Sequence, residues 1–383
     1  MKILFLSPFA LSAFPHRFPP SGRGLDHRTT WTELLVEYFS GNPEHEITLA
    51  TVSPFIKYSC YFRENNVGYY YLKTVKRARR LLFFLPDIFR LRRIIKEIDP
   101  DLIHVHGAED CYALATLYSS KPALVSIQAA FGEFARFYPW YSNVRLGPLL
   151  ADFALKRTSF IHTNSPYIEN YYKKVINKAT LFRLDMPINK VFFEVENIPD
   201  EDVLTFVGSS LTLKGADTLI KIAGKLKNSF PRLIVNIIGY ITPDLFAYLK
   251  KLALEHGVWE NTRLIGALDT PAISKYLAKT KVFVVPTRCD IYGVSLAEAL
   301  CAGVPVVSSN IMGVPYVVEN EIDGFLLDPN DIKGFAEKIN LLLSNNDLRR
   351  KMGQKGKEKA VKRWHPNIIS KAYLETYKEI LKD

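Results

Sequence analysis

The chain has 383 residues, of which 48% are hydrophobic and 23% are charged, and this composition excludes an intrinsically disordered protein. Its length is enough for two sizeable hydrophobic cores. A formal net charge of +11 favours acidic partners, which include nucleic acid, anionic lipid and phosphorylated small molecules.

The start of the chain and its cysteines bear on the cellular compartment. The first apolar run ends at Ser7, no small-residue cleavage site follows it, and no stretch approaches the length of a membrane span. The sequence therefore predicts a cytoplasmic protein. Because the 4 cysteines lack the paired spacing of a metal site, we expect reduced and mostly buried thiols. These cysteines are Cys60, Cys111, Cys289 and Cys301.

Short apolar strands and amphipathic helices alternate in the first half of the chain. Residues 2–7 predict a strand, and a helix follows in which Trp31 and Leu34 share one face. Residues 46–52 predict the next strand. The intervening loop, residues 8–25, is long and rich in Pro, Gly and Arg, which is typical of a functional or mobile segment.

Basic and apolar residues alternate over residues 73–98, and Pro86 is expected to break or kink the helix there. Such a pattern suits a helix that lies on an anionic membrane surface. A solvated charged face over a buried apolar face is the alternative. The cations of this segment are Lys73, Lys76, Arg77, Arg79, Arg80, Arg90, Arg92 and Arg93.

A buried strand is predicted over Asp101–His106. Ligands in open α/β sheets bind beyond the carboxyl ends of the strands, so His106 is a candidate site residue, with a purely structural histidine as the alternative. The aromatic residues 129–149 predict a loop that binds an acceptor or acts as a lid. Further strands are predicted over residues 124–128, 160–163 and 180–184.

A second α/β unit begins after a predicted linker at residues 187–199. Its predicted strands cover residues 203–207, 233–238, 262–265, 281–285, 304–308 and 325–327. Strands that alternate with helices imply right-handed βαβ units and a doubly wound parallel sheet. The fold class is therefore α/β, with two Rossmann-like domains that face each other across a cleft and join near residue 195.

Residues 281–309 hold the densest group of candidate site residues. A buried strand leads to a loop with Asp290, Tyr292 and Gly293, and a helix begins at about Val294. Glu298 lies about one turn into that helix. The free N–H groups and the dipole of a helix N-terminus both favour phosphate, so this loop is a predicted anion site.

The motifs in the second half resemble those of the retaining GT-B fold glycosyltransferases known as group 1 or family 4. FVGSSLTLKG matches the family's first glycine-rich turn at Gly208, Lys214 and Gly215. The family's Pro-Ser-x-x-Glu-x-Phe-Gly-x-x-x-x-Glu-Ala stretch and the residues after it are also matched. These matches are Pro286, Thr287, Asp290, Tyr292, Gly293, Glu298, Ala299, Gly303, Pro305, Val306 and Val307.

The resemblance implies how the two halves divide the work. Residues 1–195 would form the acceptor domain, joined by a crossover helix at 367–383, and residues 196–366 would bind a nucleotide-sugar donor. The donor is expected to be a UDP-sugar or a GDP-sugar, and no metal or further cofactor is expected. Gly208, Ser209, Lys214, Tyr292, Gly293, Val294, Ser295 and Glu298 are the implied donor contacts.

The resemblance also implies a retaining transfer in which His106, Asp290 and Lys214 are catalytic. Lys214 would face the diphosphate, Glu298 the ribose hydroxyls and Asp290 the transferred sugar, while His106 would face both the sugar and the acceptor. The acceptor would be a hydroxyl of a glycan, a glycolipid or a small molecule, as in polysaccharide biosynthesis. The protein would be cytoplasmic and would bind the inner face of a membrane peripherally through residues 73–98.

Four positions depart from the family pattern. The family arginine beside the lysine is Ser209, and a contact to the diphosphate is missing unless Arg23, Arg288 or another residue replaces it. The first carboxylate is shortened to Asp290, a common histidine is Gln128, and the usual turn near residue 186 is MPIN. Two alternatives therefore stay open: a degenerate nucleotide-sugar-binding or scaffold subunit, and a nucleotide-sugar epimerase. Nucleic-acid binding is a weaker prediction, because no DNA or RNA motif is present.

Overall fold

The computed structural model describes residues 1–18, 30–75, 82–137 and 146–382. The chain forms two compact units. The first contains Met1–Pro187 and Pro366–Asp383, and the second contains Ile188–His365. The predicted boundary near residue 195 lies inside the second unit.

The first unit is built on an eight-stranded sheet with the order β3-β4-β2-β1-β5-β6-β7-β8. All neighbouring strands are parallel except β3 and β4, which are antiparallel. In chain order the strands are β1 (Lys2–Leu6), β2 (Glu46–Ser53), β3 (Cys60–Glu64), β4 (Val67–Lys73), β5 (Leu102–His106), β6 (Ala123–Ser126), β7 (Phe160–Thr163) and β8 (Thr180–Arg183).

Helices from both ends of the chain pack on this sheet. The described helices are α1 (Thr30–Ser40), α2 (Leu85–Ile98), α3 (Cys111–Thr116), α4 (Phe131–Ala135), α5 (Leu146–Leu155), α6 (Pro166–Tyr172) and, from the end of the chain, α14 (Pro366–Ile380), with a 3-10 turn at Leu11–Ala13. The α14 residues Ile369, Tyr373, Tyr377 and Ile380 recur at helical spacing and are buried in the core of this unit. The last helix is therefore a structural part of the first unit.

The second unit has a six-stranded parallel sheet with the order β11-β10-β9-β12-β13-β14. Its strands are β9 (Val203–Val207), β10 (Ile234–Ile238), β11 (Thr262–Gly266), β12 (Val282–Val285), β13 (Val306–Ser309) and β14 (Gly324–Leu327). Its helices are α7 (Ala216–Leu226), α8 (Pro243–Glu255), α9 (Thr270–Ala278), α10 (Val294–Cys301), α11 (Val314–Val317), α12 (Ile332–Ser344) and α13 (Asn346–Arg363), with a 3-10 turn at Lys190–Phe192.

Two parallel-dominated sheets with helices between the strands confirm the predicted α/β, Rossmann-like class. In each sheet the strand order reverses at one place, between β1 and β5 in the first unit and between β9 and β12 in the second. The loops beyond the carboxyl ends of such strands form the usual ligand crevice of an open α/β sheet.

One local prediction is wrong, and one hairpin was not predicted. Pro86 lies in the first turn of α2, which begins at Leu85, and a missing N–H costs nothing at that position. Residues 129–149 are not one loop, since they include α4 and the start of α5. The β3–β4 hairpin escaped prediction because its aromatic residues do not alternate with polar ones. Residues 76–81, which carry several of the predicted cations, lie outside the described residues.

Cys111, Cys289 and Cys301 are buried, and Cys60 is half-buried. Among the described helices, none combines the length and the apolar character needed to cross a bilayer.

Candidate active site

Two loops of the second unit meet at the point where its strand order reverses. One loop follows β9 and carries Lys214, and the other follows β12 and carries Asp290. The strands β9 and β12 are neighbours in the sheet, so these residues are brought together although they are 76 positions apart. This is how the fold assembles two of the predicted site residues.

Lys214 and Asp290 form an ion pair. The Lys214 Nζ atom donates to Asp290 Oδ2 at 2.6 Å and to the Cys289 carbonyl at 3.1 Å. The lysine is held by the turn after it, because Gly215 has φ +85° and a Cβ there would lie 2.0 Å from the Pro286 carbonyl oxygen. A glycine at position 215 thus lets the two loops approach each other.

The helix α10 begins directly beside this pair. Gly293 is its N-cap residue, with φ +90°, and no side chain caps the helix. Among the described residues, the N–H groups of Val294 and Ser295 have no acceptor, while the Tyr292 N–H donates to Asp290 Oδ1 at 3.3 Å. The Asp290 carboxylate therefore bridges an ammonium group and the start of a helix. The same donors suit a phosphate group.

Glu298 lies on α10, one turn from its start, and its side chain is partly buried. Burial raises the pKa of Glu298 to about 8, and no described cation or hydrogen-bond donor opposes that shift. A carboxyl group in this state is ready to accept hydrogen bonds from a ligand. Tyr292, in contrast, is almost fully buried, so its ring packs inside the unit.

Ser209 stands where the family has an arginine, and Arg288 is a candidate to replace the contact of that arginine to the diphosphate. Ser209 is exposed on the loop after Gly208. Arg288 donates to both carboxylate oxygens of Asp217 at 2.8 Å, which raises the pKa of the guanidinium group. Because this bidentate pair occupies the guanidinium group, Arg288 does not replace the missing contact. Arg23 lies outside the described residues.

His106 is the last residue of β5 in the first unit and is 3% exposed. Its Nδ1 atom lies 3.4 Å from the Gln128 Nε2 atom, and its Nε2 atom is buried without a partner among the described residues. Burial, with a smaller contribution from His162, lowers the pKa of His106 to about 3. The imidazole is therefore neutral, with Nδ1 accepting from Gln128 and Nε2 carrying the proton.

A chain of buried hydrogen bonds lies below His106 on the same sheet. His104 connects to Tyr377 at 2.6 Å and to Ser126 at 2.7 Å, and Ser126 connects to His162 at 2.8 Å. The His162 Nε2 atom lies 3.0 Å from the Leu184 carbonyl oxygen. A carbonyl only accepts, so His162 donates to it, Ser126 donates to His162, His104 donates to Ser126, and Tyr377 donates to His104.

Every member of this chain is satisfied only while both histidines are neutral. Burial lowers the pKa of His162 to about 4 and holds the pKa of His104 well below its ordinary value. Sequence reasoning missed this network. The i, i+2 spacing of His104 and His106 on one strand face was the available signal.

No cluster of three or more His, Cys, Asp or Glu side chains in the described part of the chain has the arrangement of a metal site. The predicted donor contacts Gly208, Ser209, Gly293, Val294, Ser295 and Glu298 all lie in the two loops and the helix described above. Lys214, Asp290 and Glu298 belong to the second unit, whereas His106 belongs to the first.

Two family models match consecutive parts of the chain. Residues 35–180 match Glycosyltransferase Family 4, and residues 188–359 match Glycosyl transferases group 1. The second match contains the whole Lys214, Asp290 and Glu298 region. The chain belongs to the group 1, or family 4, glycosyltransferases.

Relatives of this glycosyltransferase extend the match along the chain. An uncharacterized glycosyltransferase of Methanocaldococcus jannaschii is 24% identical over 293 residues, which cover 76% of this chain and 80% of the relative. The sucrose-phosphate synthase of Thermosynechococcus elongatus has the same fold, with a TM-score of 0.82, 16% identity and full coverage of both chains. Anabaena HepE, solved in complex with UDP, has a TM-score of 0.73 and 14% identity over 99% of this chain and 100% of HepE. These neighbours confirm the predicted GT-B fold.

Proposed function

We propose that this glycosyltransferase moves a sugar, with retention of configuration and without a metal ion, from a nucleotide-diphosphate sugar to a hydroxyl group. The acceptor would be a glycan, a glycolipid or a small molecule. One observation carries the proposal: a lysine, a helix N-terminus and an uncompensated carboxyl group lie together on two adjacent strand ends. That set matches the diphosphate and the ribose of a UDP-sugar or GDP-sugar.

Each group has a defined task in the proposed reaction. As the sugar leaves, negative charge grows on the diphosphate, and donors that are already in place lower the barrier. Lys214 supplies the charge, and the N–H groups of Val294 and Ser295 supply hydrogen bonds. Lys214 must exchange Asp290 for the phosphate, which frees the Asp290 carboxylate to face the sugar.

Retention follows if the leaving phosphate takes the proton from the incoming acceptor hydroxyl on the same face of the sugar. No side-chain base is then required between donor and acceptor. His106 is neutral, and its Nε2–H has no partner among the described residues. It is assigned as a hydrogen-bond donor where the transferred sugar meets the acceptor. The UDP in the HepE structure supports a uridine nucleotide as the first donor to test.

The test is a Glu298→Ala variant. Loss of the hydrogen bonds between the Glu298 carboxyl group and the ribose hydroxyls should weaken UDP or GDP binding by about 1–3 kcal/mol. Isothermal titration measures this change, and Glu337→Ala on an exposed helix face serves as the control. Unchanged affinity in Glu298→Ala would remove the donor-site assignment.

Turnover separates the proposal from its two alternatives. A screen of UDP-sugars and GDP-sugars for transfer or hydrolysis should give a released nucleotide. Tight nucleotide binding without turnover would instead indicate the degenerate subunit, for which Ser209 is the motivating residue. Interconversion of the donor sugar without transfer would indicate the epimerase.

We also propose that α2 binds the anionic inner face of the membrane. Its inner face buries Ile88, Leu91, Ile94 and Ile95. Its opposite face exposes Leu85, Phe89, Arg93 and Lys96 at spacings of one turn, and Phe83 just before the helix is 60% exposed. Aromatic residues with adjacent cations suit the headgroup region of a bilayer.

Flotation with vesicles rich in phosphatidylglycerol tests the membrane proposal. The wild-type chain should float at low salt, and Phe83→Ser/Phe89→Ser should reduce the floated fraction severalfold. Leu149→Ser is the matched control, because Leu149 is 68% exposed on a different helix. Equal flotation of the double variant, or none by the wild type, would contradict the proposal.

A further inference from the structure

Four polar atoms at one edge of the first sheet are buried without partners among the described residues. They are His106 Nε2, Glu109 Oε2, Gln128 Oε1 and Asn164 Oδ1. Buried polar atoms in folded proteins normally have a hydrogen-bond partner, and each exception requires an explanation. Asn164 is fully buried and His106 nearly so, which makes an ordinary surface position an insufficient explanation.

The sheet places these side chains next to each other. His106 pairs with Ser126 and Ser126 pairs with His162, and the Ile127 N–H continues the ladder to the His162 carbonyl. Gln128 lies two residues beyond Ser126 and Asn164 two residues beyond His162, so continuation of the strand alternation places both on the face that carries His106, Ser126 and His162. The 3.4 Å contact between Gln128 and His106 is consistent with this arrangement.

Glu109 closes the same edge from the loop after β5. A Cβ atom built on Gly107 would lie 2.8 Å from Glu109 Oε2, so the carboxyl group packs directly over the residue that follows His106. Burial raises the pKa of Glu109 to about 7, and no described cation opposes the shift.

The donors and acceptors among these four atoms determine which ligand groups can bind to them. His106 offers one N–H donor, while Gln128 and Asn164 offer carbonyl oxygens and Glu109 offers a carboxyl oxygen. A sugar hydroxyl can donate to these oxygens and accept from the histidine. A phosphate group offers only acceptor oxygens and negative charge, so it would meet three oxygens here, and no cation among the described residues bonds to any of the four atoms.

We propose that Glu109, Gln128 and Asn164, together with His106, form a subsite for the hydroxyl groups of an uncharged sugar or polyol acceptor. The subsite rejects an acceptor that carries a phosphoryl group at this position. This inference rests on the proposed function, since it specifies the acceptor of the same transfer.

Saturation-transfer NMR on the full chain with saturating UDP tests the subsite at pH 8. The probes are the methyl glycosides of glucose, galactose, mannose and N-acetylglucosamine, each compared with its 6-phosphate. At least one neutral glycoside should bind about tenfold more tightly than its 6-phosphate. Equal or tighter binding of every 6-phosphate, or no binding by any neutral glycoside, would overturn the subsite.

Two variants locate the binding. Asn164→Leu removes one acceptor oxygen at similar volume and should weaken the neutral glycoside about threefold to tenfold. Asn236→Leu is the matched control, because Asn236 in β10 of the other unit is also buried with an unpartnered oxygen. An equal effect of the two variants would overturn the assignment.

Glu109→Gln provides a gain-of-binding test that does not depend on a loss of stability. The amide removes the negative charge and adds two donors, so the 6-phosphate should bind at least threefold more tightly than it does to the wild type. Unchanged selectivity would overturn the role of Glu109.

Titration of UDP distinguishes failure of the subsite from failure of the proposed function. UDP affinity should be the same in the wild type, Asn164→Leu and Glu109→Gln. Loss of glycoside selectivity while UDP still binds overturns the subsite alone. Absence of UDP and GDP binding in the wild type overturns the proposed function and, with it, the basis of the subsite.

Discussion

Lys214 and Asp290 neutralise each other in the free protein. The positive charge proposed to bind the donor diphosphate is therefore already paired before the donor arrives. The pair is partly buried, with 21% and 11% of the two side chains exposed. In the proposed reaction, the diphosphate of the donor has to compete with Asp290 for the ammonium group of Lys214. Asp290, which is shorter than the family glutamate, therefore opposes phosphate binding first and faces the sugar only after the phosphate has taken its place.

Asp290→Asn should bind UDP more tightly and turn over more slowly than the wild type. Removal of the competing charge should strengthen binding by up to about 1 kcal/mol, or about fivefold, because a partly exposed ion pair has modest strength. Turnover should fall because no carboxylate faces the sugar. Titration and initial rates measure the two effects.

Asp202→Asn is the matched control, since Asp202 forms a similar 2.7 Å pair with Lys281 in the same unit. Weaker UDP binding by Asp290→Asn would show that Asp290 organises the site rather than competes for Lys214.

The sequence predicted site residues that lie close together along the chain better than those assembled by the fold. Gly293 and Glu298 were visible because the helix that carries both is itself encoded locally. Arg288 and Asp217 are 71 positions apart, so their pairing was not visible, and Arg288 stayed open as one possible replacement for the missing arginine. Glu109 was overlooked because one acidic residue in a loop has no periodic signal.

Helices and strands were predicted correctly where their buried residues form a clear pattern along the sequence. The helix α14 shows its apolar residues at helical spacing, and the central parallel strands show continuous β-branched runs. Prediction failed for residues 129–149, where two short helices, α4 and the start of α5, lie in a segment that was predicted to be a loop. It also failed for the antiparallel β3, which is the outermost strand on one side of the first sheet.

The Tyr377 hydroxyl group should contribute measurably to the stability of the first unit, because it links α14 to the sheet. Tyr377→Phe removes the donor to His104 and leaves a buried nitrogen unpaired, so it should lower the free energy of unfolding by about 1–3 kcal/mol. Denaturant unfolding measures the loss.

Tyr373→Phe is the control. The Tyr373 hydroxyl lies 3.1 Å from the His162 Nε2 atom, but both ring nitrogens of His162 have other partners. The control should therefore cost less than Tyr377→Phe. Equal losses would contradict the deduced direction of the hydrogen-bond chain.

The two units of the whole molecule contain opposite kinds of buried titratable group. The first unit buries His104, His106 and His162, whose lowered pKa values keep them neutral, and these outnumber its one raised carboxyl, Glu109. In the second unit, burial raises the pKa of Glu298 to about 8 and also raises the pKa of Asp323. The units should therefore respond to acid with opposite signs.

Between pH 6.5 and pH 5 the first unit should lose stability while the second gains it. In this window the histidines bind protons only when unfolded, whereas Glu298 binds its proton only when folded. Each such mismatch is worth up to about 1.4 kcal/mol per pH unit. Hydrogen exchange, corrected for its intrinsic pH dependence, reports each unit separately.

Glu298→Gln should reduce the gain in the second unit and leave the first unit unchanged. Parallel responses of the two units to acid would contradict the assignment of these buried groups.

The position of α14 has a consequence for the order of synthesis. The second unit is one continuous stretch, Ile188–His365, whereas the core of the first unit requires Ile369, Tyr373 and Tyr377. During synthesis all residues of the second unit are translated before Ile369, Tyr373 and Tyr377. The first unit, whose strands are translated first, thus receives the last side chains of its core only after the whole of the second unit has been translated, and it cannot complete its core before that point.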